Sequence, residues 1–148
     1  MELGKFMTRD EFISSIKSKG ALMWGPASIR SIGFANTNLQ MRKCAMLPAF
    51  MIDLYETTAG INLGTGYIFG PSELPNKNNF PIPDIVQINE DVRHLSMGKT
   101  IFGRNDLFWF AFDAFGTCYM LDNLTLKPLR KYDDAFKALY DCLMGGKI

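Results

Sequence analysis

The stretch Leu107–Phe112 limits what this chain can fold into more than any other segment. Leu-Phe-Trp-Phe-Ala-Phe is aromatic almost throughout, and bulky rings in a row suit a central strand with both faces covered. Asp113-Ala114-Phe115-Gly116 has the turn chemistry of a hairpin, so Thr117–Leu121 is predicted as the return strand. Asp122-Asn123 turns the chain again, and Leu124–Leu129 is predicted as a further short strand.

Helices are predicted on either side of this meander. Thr8-Arg9-Asp10-Glu11 reads as a capping box, in which the Thr8 hydroxyl and the Glu11 carboxylate satisfy orphan N–H groups reciprocally. Phe12, Ile13 and Ile16 give the helix after it an apolar face, and Gly20 suits its end. Ala21–Gly25 is predicted as a short extended piece. Ser28 is a candidate cap for a second helix with Ile29, Ile32 and Leu39 on one side, although Gly33 and Asn36-Thr37-Asn38 weaken it. Leu47-Pro48 opens a third helix with the stripe Phe50, Met51, Leu54 and Tyr55.

Tyr67-Ile68-Phe69, set among Gly64, Gly66 and Gly70, reads as a short strand with glycine-permitted turns. Pro71–Pro83, with four prolines, is the longest loop. Asp84 is placed to cap a helix carrying Ile85, Ile88, Val92 and Leu95, with Gln87 completing a second capping box. After Asp133, Phe136, Leu139, Tyr140 and Leu143 fall at helical spacing, and Gly145-Gly146 stops that last helix. Helices, then a meander, then one helix predict α+β: a single domain over residues 1–148, with a mainly antiparallel twisted sheet and helices packed on it.

Composition bounds the function classes. Of the 148 residues 47% are apolar and 13% aromatic, enough for a sizeable core and too much for a disordered chain. Sixteen Lys and Arg against fifteen Asp and Glu give a formal charge of +1, which makes no electrostatic case for nucleic acid. The local excess at Lys127, Arg130 and Lys131 is answered at once by Asp133 and Asp134, and reads as a solvated patch. Cys44, Cys118 and Cys142 are odd in number and lack a CxxC spacing, which argues against a disulfide framework and a zinc site and suits a reducing cytosol. Met1-Glu2-Leu3-Gly4-Lys5 begins no signal peptide, and no apolar run approaches the ~20 residues of a membrane span. A cytoplasmic protein with no membrane contact is expected.

No catalytic or cofactor constellation emerges. His94 is the single histidine, so no two-histidine metal site or HExxH exists. A Cys–His dyad would need one of three cysteines that the pattern places in or beside the core. The glycine run Gly60 to Gly70 follows a helix and precedes a strand, the reverse of a phosphate cradle. Asp106 and Asp113, with Arg104 close by, bracket the aromatic strand and would lie about 23 Å apart along it, too far for a shared acid–base site. Phe108–Phe112 contains no basic residue, so core packing is a better reading than a stacking platform for single strands. No metal and no cofactor are expected.

Two stretches carry a family resemblance. Leu47-Pro48-Ala49-Phe50-Met51-Ile52-Asp53-Leu54-Tyr55-Glu56-Thr57-Thr58-Ala59-Gly60 resembles the helix signature of the SUKH superfamily, in which Leu-Pro opens a helix and Asn-Gly closes it. Here Ala59 stands for the asparagine. Ile101-Phe102-Gly103-Arg104-Asn105-Asp106 followed by the aromatic strand to Asp113, then Gly116 and Tyr119, is similar to the family's strand, polar turn, aromatic strand and glycine turn. Tyr67-Ile68-Phe69-Gly70 and the closing Tyr132-Asp133-Asp134-Ala135-Phe136 are similar to further family elements. Before Leu47 the family's lead-in is replaced by Met41-Arg42-Lys43-Cys44.

The resemblance implies an α+β fold with a mixed or antiparallel sheet flanked by helices. It also implies the superfamily's commonest bacterial role, an immunity protein that neutralises a toxin of a contact-dependent or polymorphic toxin system. The alternative it carries is a non-catalytic scaffold or regulator, as in the fungal cell-wall-synthesis regulator of the group. Such a protein works by binding, through a few buried anchors. Residues expected at loop and turn edges, Trp24, Tyr67, Asn105, Asp106 and Phe115, are the candidates, each with local packing as its ordinary alternative. An exposed sheet edge leaves monomer and homodimer both open.

Overall fold

The computed structural model describes residues 6–72, 83–96 and 98–145, with the backbone alone for 92–96. Of the expectations above, those on residues 1–5, most of the Pro71–Pro83 loop, Gly146 and the side chains of Val92, His94 and Leu95 lie outside the described residues.

Chain order runs α1 Arg9–Ser18, β1 Leu22–Met23, α2 Ile29–Met41, α3 Ala49–Tyr55, β2 Ile61–Leu63 and β3 Gly66–Ile68. It continues with α4 Ile85–Ser96, β4 Thr100–Arg104, β5 Phe108–Phe112, β6 Cys118–Asp122, β7 Pro128–Tyr132 and α5 Ala135–Met144. The described strands form one antiparallel sheet in the order β1-β2-β3-β4-β5-β6-β7, each beside its neighbour in sequence. The fold is α+β in a single domain, an open sheet with helices packed against it. Helices interrupt the meander instead of preceding it: α2 and α3 lie between β1 and β2, and α4 between β3 and β4. Among the described residues no helix is long and apolar enough to cross a membrane.

The caps expected at α1 and α2 are realised. Thr8 and Glu11 form the reciprocal box of α1. Ser28 caps α2 by accepting from the Ser31 N–H, and Asp134 caps α5 by accepting from Phe136 and Lys137. Pro48 sits at the cap of α3, one step before its first turn. The Asn36-Thr37-Asn38 run does not break α2, because these side chains find local partners. Thr37 donates to the Gly33 carbonyl and Asn38 to that of Phe34, while Asn36 accepts from the Leu47 N–H at 2.7 Å and so ties α2 to the approach to α3. Ile29, expected on the core side, is 86% exposed, since Ile32, Ala35 and Leu39 define the buried stripe.

Two strand expectations change. Leu124–Leu126 form a turn, not a strand: Asp122 Oδ2 accepts from the Leu124 and Thr125 N–H groups, and Leu126 has a φ of +59°. The strand therefore starts at Pro128 and runs to Tyr132. Leu107 and Phe108 do not have both faces covered; full burial in β5 begins at Phe110.

The core lies between the sheet and the helices. Phe102 stacks on Phe112, with centroids 6.0 Å apart and planes at 7°. Phe50 of α3 meets Phe102, Phe112 and Phe136 edge-on at 6.1 to 6.3 Å. Burying each such ring is worth about 2 kcal/mol, which makes this cluster the main source of stability. Phe102 reaches it because β4 carries a bulge between Ile101 and Gly103, which turns one extra side chain inward. Helix α5 then lies very close to the sheet. A Cβ on Gly103 would come within 2.6 Å of the Tyr67 carbonyl oxygen and 2.9 Å of Cys142 Sγ, and one on Gly66 within 2.8 Å of Leu143 Cα.

Where β3 ends, Asn89 of α4 takes over its pairing with β4. Its buried amide accepts from the Ile101 N–H at 2.7 Å and donates to the Ile101 and Ile85 carbonyls at 2.8 Å. A strand edge that would otherwise hold unpaired backbone groups is thereby closed by one side chain.

Candidate protein-binding face

Residues opposite one another on paired antiparallel strands share a face. Ile68, Gly103, Phe110, Met120 and Arg130 form one such row, and the contacts of Gly103 put this face under α5. Alternation then sends Tyr67, Arg104, Trp109 and Leu121 to the other side, together with Ile101, Ala111, Tyr119 and Lys131. On that side Ile101, Ala111 and Leu121 are fully buried, Tyr67, Trp109 and Tyr119 are half-buried, and Arg104 and Lys131 are exposed, so the face is open only at these last five positions.

The aromatic groups of this open face are held in place. Trp109 Nε1 donates to the Asn123 carbonyl at 3.3 Å, and the Phe69 ring lies 6.4 Å from it. Tyr119 donates its hydroxyl to Asp113 Oδ2 at 3.0 Å; burial and then the Asp113 carboxylate push its phenol above the ordinary range. Two cations lie over these rings: the Arg104 guanidinium 4.8 Å from the Trp109 ring centre and Lys99 Nζ 5.1 Å from that of Tyr119. A cleft of about 480 Å³ opens at one end of the face, where Thr65, Tyr67, Phe69, Arg104 and Asp106 converge.

The five candidate residues separate on this frame. Tyr67 and Asp106 come together at the cleft, with Asp106 Oδ1 accepting from Thr65 Oγ1 at 3.2 Å. Trp24 is only 8% exposed and packs with Ala59, with Tyr67 against the same small cluster, so its ring is largely used within the fold. Asn105 is 3% exposed and committed to the β4–β5 turn. Its Oδ1 accepts from the Leu107 and Phe108 N–H groups, and its Nδ2 donates to the Cys142 carbonyl at 3.1 Å. Phe115 is 94% exposed at the tip of the β5–β6 hairpin, the end of β5 away from Asp106. The candidates therefore do not form one site. Arg104, Trp109, Tyr119 and Lys131, the residues that make up the face, were not among them.

The arrangement suits recognition by contact: aromatic surface, a phenol hydroxyl and cations on one side of the sheet. Asp106 and Asp113 lie at opposite ends of β5 and cannot act as a pair. Burial pushes the Cys118 thiol up to about 12, with Asp113 and Asp134 adding to the effect, and raises that of Cys142 well above its usual value. Both thiols stay protonated at neutral pH and are poor nucleophiles. Among the described residues no group of three His, Cys, Asp or Glu side chains could hold a metal ion.

No family model matches the chain, and no curated protein matches it.

Proposed function

We propose that this chain is a cytoplasmic, bacterial immunity protein that binds and neutralises the toxin domain of a contact-dependent or polymorphic toxin system, without catalysis of its own. The observation that carries the binding part is the open sheet face, where Tyr67, Trp109 and Tyr119 stand beside Arg104, Lys99 and Lys131. Interfaces are enriched in aromatic side chains and arginine, the rings because they give large contact area for little conformational entropy and the guanidinium because it offers several directed donors. What points to a toxin as partner is the sequence resemblance to the SUKH superfamily.

The test is to tag the protein at its native locus, identify what co-purifies, and express that partner with and without this chain. The expected result is a neighbouring-gene product with a modular C-terminal domain that kills cells unless this protein is present. A stable housekeeping complex, with no protection against any toxin encoded beside the gene, would instead establish a scaffold or regulatory subunit.

A further inference from the structure

We propose that the open face receives an acidic segment of the protein partner, and that Arg104 grips one of its carboxylates at the mouth of the cleft between Tyr67 and Asp106. The proposal rests on the protein-binding reading above and adds the chemistry of the partner.

It starts from how the cations of the molecule are used. On the helical side Arg9 pairs with Asp53 at 2.6 Å, Arg42 with Glu90 at 3.6 Å, and both Arg130 and Lys137 with Asp141 at 3.3 Å. On the open face Arg104, Lys99 and Lys131 have no carboxylate partner among the described residues, as is also true of Lys17, Lys19, Arg30 and Lys43 elsewhere. What sets the open-face cations apart is their place beside the rings. Arg104 and Lys99 are instead laid over Trp109 and Tyr119. The Arg104 guanidinium, 4.8 Å from the Trp109 ring centre, is held by the ring without an ion pair, and guanidinium N–H groups match both oxygens of a carboxylate.

The carboxylates bordering the face stand at its two ends and are already engaged. Asp106 accepts from Thr65, and Asp113 accepts from the Phe115 and Thr117 N–H groups and from Tyr119. Those hydrogen bonds come from neutral donors and leave both carboxylates charged. Lys99, Arg104 and Lys131 against Asp106 and Asp113 make the face net positive by one, which favours a segment bringing negative charge. The aromatic rings call for apolar contact beside them, and the half-buried Tyr67 lines the cleft where the two requirements meet.

A nucleic acid would also bring negative charge, and the observations favour it less. Three cations are few for a phosphate backbone, and the whole chain carries only +1. Stacking platforms offer bare rings to the bases. Here the Trp109 ring has Arg104 over it and Phe69 beside it, so it does not offer a bare plate.

The experiment is an NMR titration of the ¹⁵N-labelled full chain with an oligoglutamate peptide, run in parallel with an oligothymidylate of matching length. The peptide is expected to shift the amides of Tyr67, Arg104, Trp109 and Tyr119 and the Trp109 indole, with affinity falling as salt rises. Arg104→Gln is expected to weaken binding by about tenfold while the rest of its spectrum stays that of the parent, and Lys131→Gln by a smaller factor. Shifts that avoid this face, or that survive Arg104→Gln undiminished, would overturn the assignment. Tighter binding of the oligothymidylate to the same residues would overturn it in favour of a nucleic-acid face. A blank toxin screen with the peptide mapped here removes the immunity reading alone; a captured toxin with no shifts on this face removes this proposal alone.

Discussion

The two faces of the sheet are built from the same strands and hold similar residues, yet they do different work. Under α5 and α3 the rings of Phe50, Phe102, Phe110 and Phe112 pack on one another, and glycines at positions 66 and 103 let helix α5 approach the strands closely. On the other side Trp109 and Tyr119 hydrogen-bond at their edges and carry cations above their faces. Aromatic content alone therefore says little about role. What decides is whether a ring meets another ring across a closed layer or keeps a polar edge and a charged neighbour at the surface.

Substitutions should separate the faces by size of effect. Phe112→Ala, which removes the stacking partner of Phe102, should cost about 4 kcal/mol by denaturant unfolding. A loss below about 1 kcal/mol would mean that the covered face is not the main core. Gly103→Ala should cost about 2–3 kcal/mol, because its Cβ would press on the backbone oxygen of Tyr67 and on Cys142.

Alkali probes the covered face without mutation. Cys118 loses its proton near pH 9.0 when unfolded and at about 12 when folded, so above pH 9 the native state holds the extra proton. Stability is full below pH 9 and falls as pH rises toward 12, by on the order of 2–3 kcal/mol by pH 11. The buried Tyr55 and Cys142, raised in the same direction, act with the same sign. Thermal melts from pH 7 to pH 11 would show the decline, and Cys118→Ser should blunt it. The smallest effect belongs to the open face: Arg104→Gln should change stability by no more than about 1 kcal/mol, the value of its contact with Trp109. A larger loss would make Arg104 a structural residue and blur the contrast between the faces.

The covered face was far easier to read in the sequence than the open one. Capping signals at Thr8 and Ser28, and the hairpin at Asp113–Gly116, are local chemistry and stand where the sequence put them. Ile61–Leu63 escaped notice as a strand because three residues carry almost no period, and its pairing partners Met23 and Ile68 lie on either side of it in the chain. The turn at Asp122-Asn123 was legible, but its extension through Leu126 was hidden by apolar Leu124 and Leu126, which read as strand residues. Phe108–Phe112 holds no basic residue, so it read wholly as core. Its partners on the open face, Tyr67, Arg104, Tyr119 and Lys131, come from other strands, and only pairing makes them neighbours.

The order of the strands along the chain has a consequence for how the protein comes into being on the ribosome. Each strand pairs with its neighbour in sequence, by short closures for β2–β3 and for β4 to β7 and across intervening helices for β1–β2 and β3–β4. Helix α5 differs: it packs across β2 to β7 and is synthesised after all of them. A nascent chain halted before Ala135 would display the ring cluster to water. Completion of α5 is thus the step that turns a sticky intermediate into a protein, and a chain stopped at Asp133 should bind a hydrophobic dye that the finished one rejects.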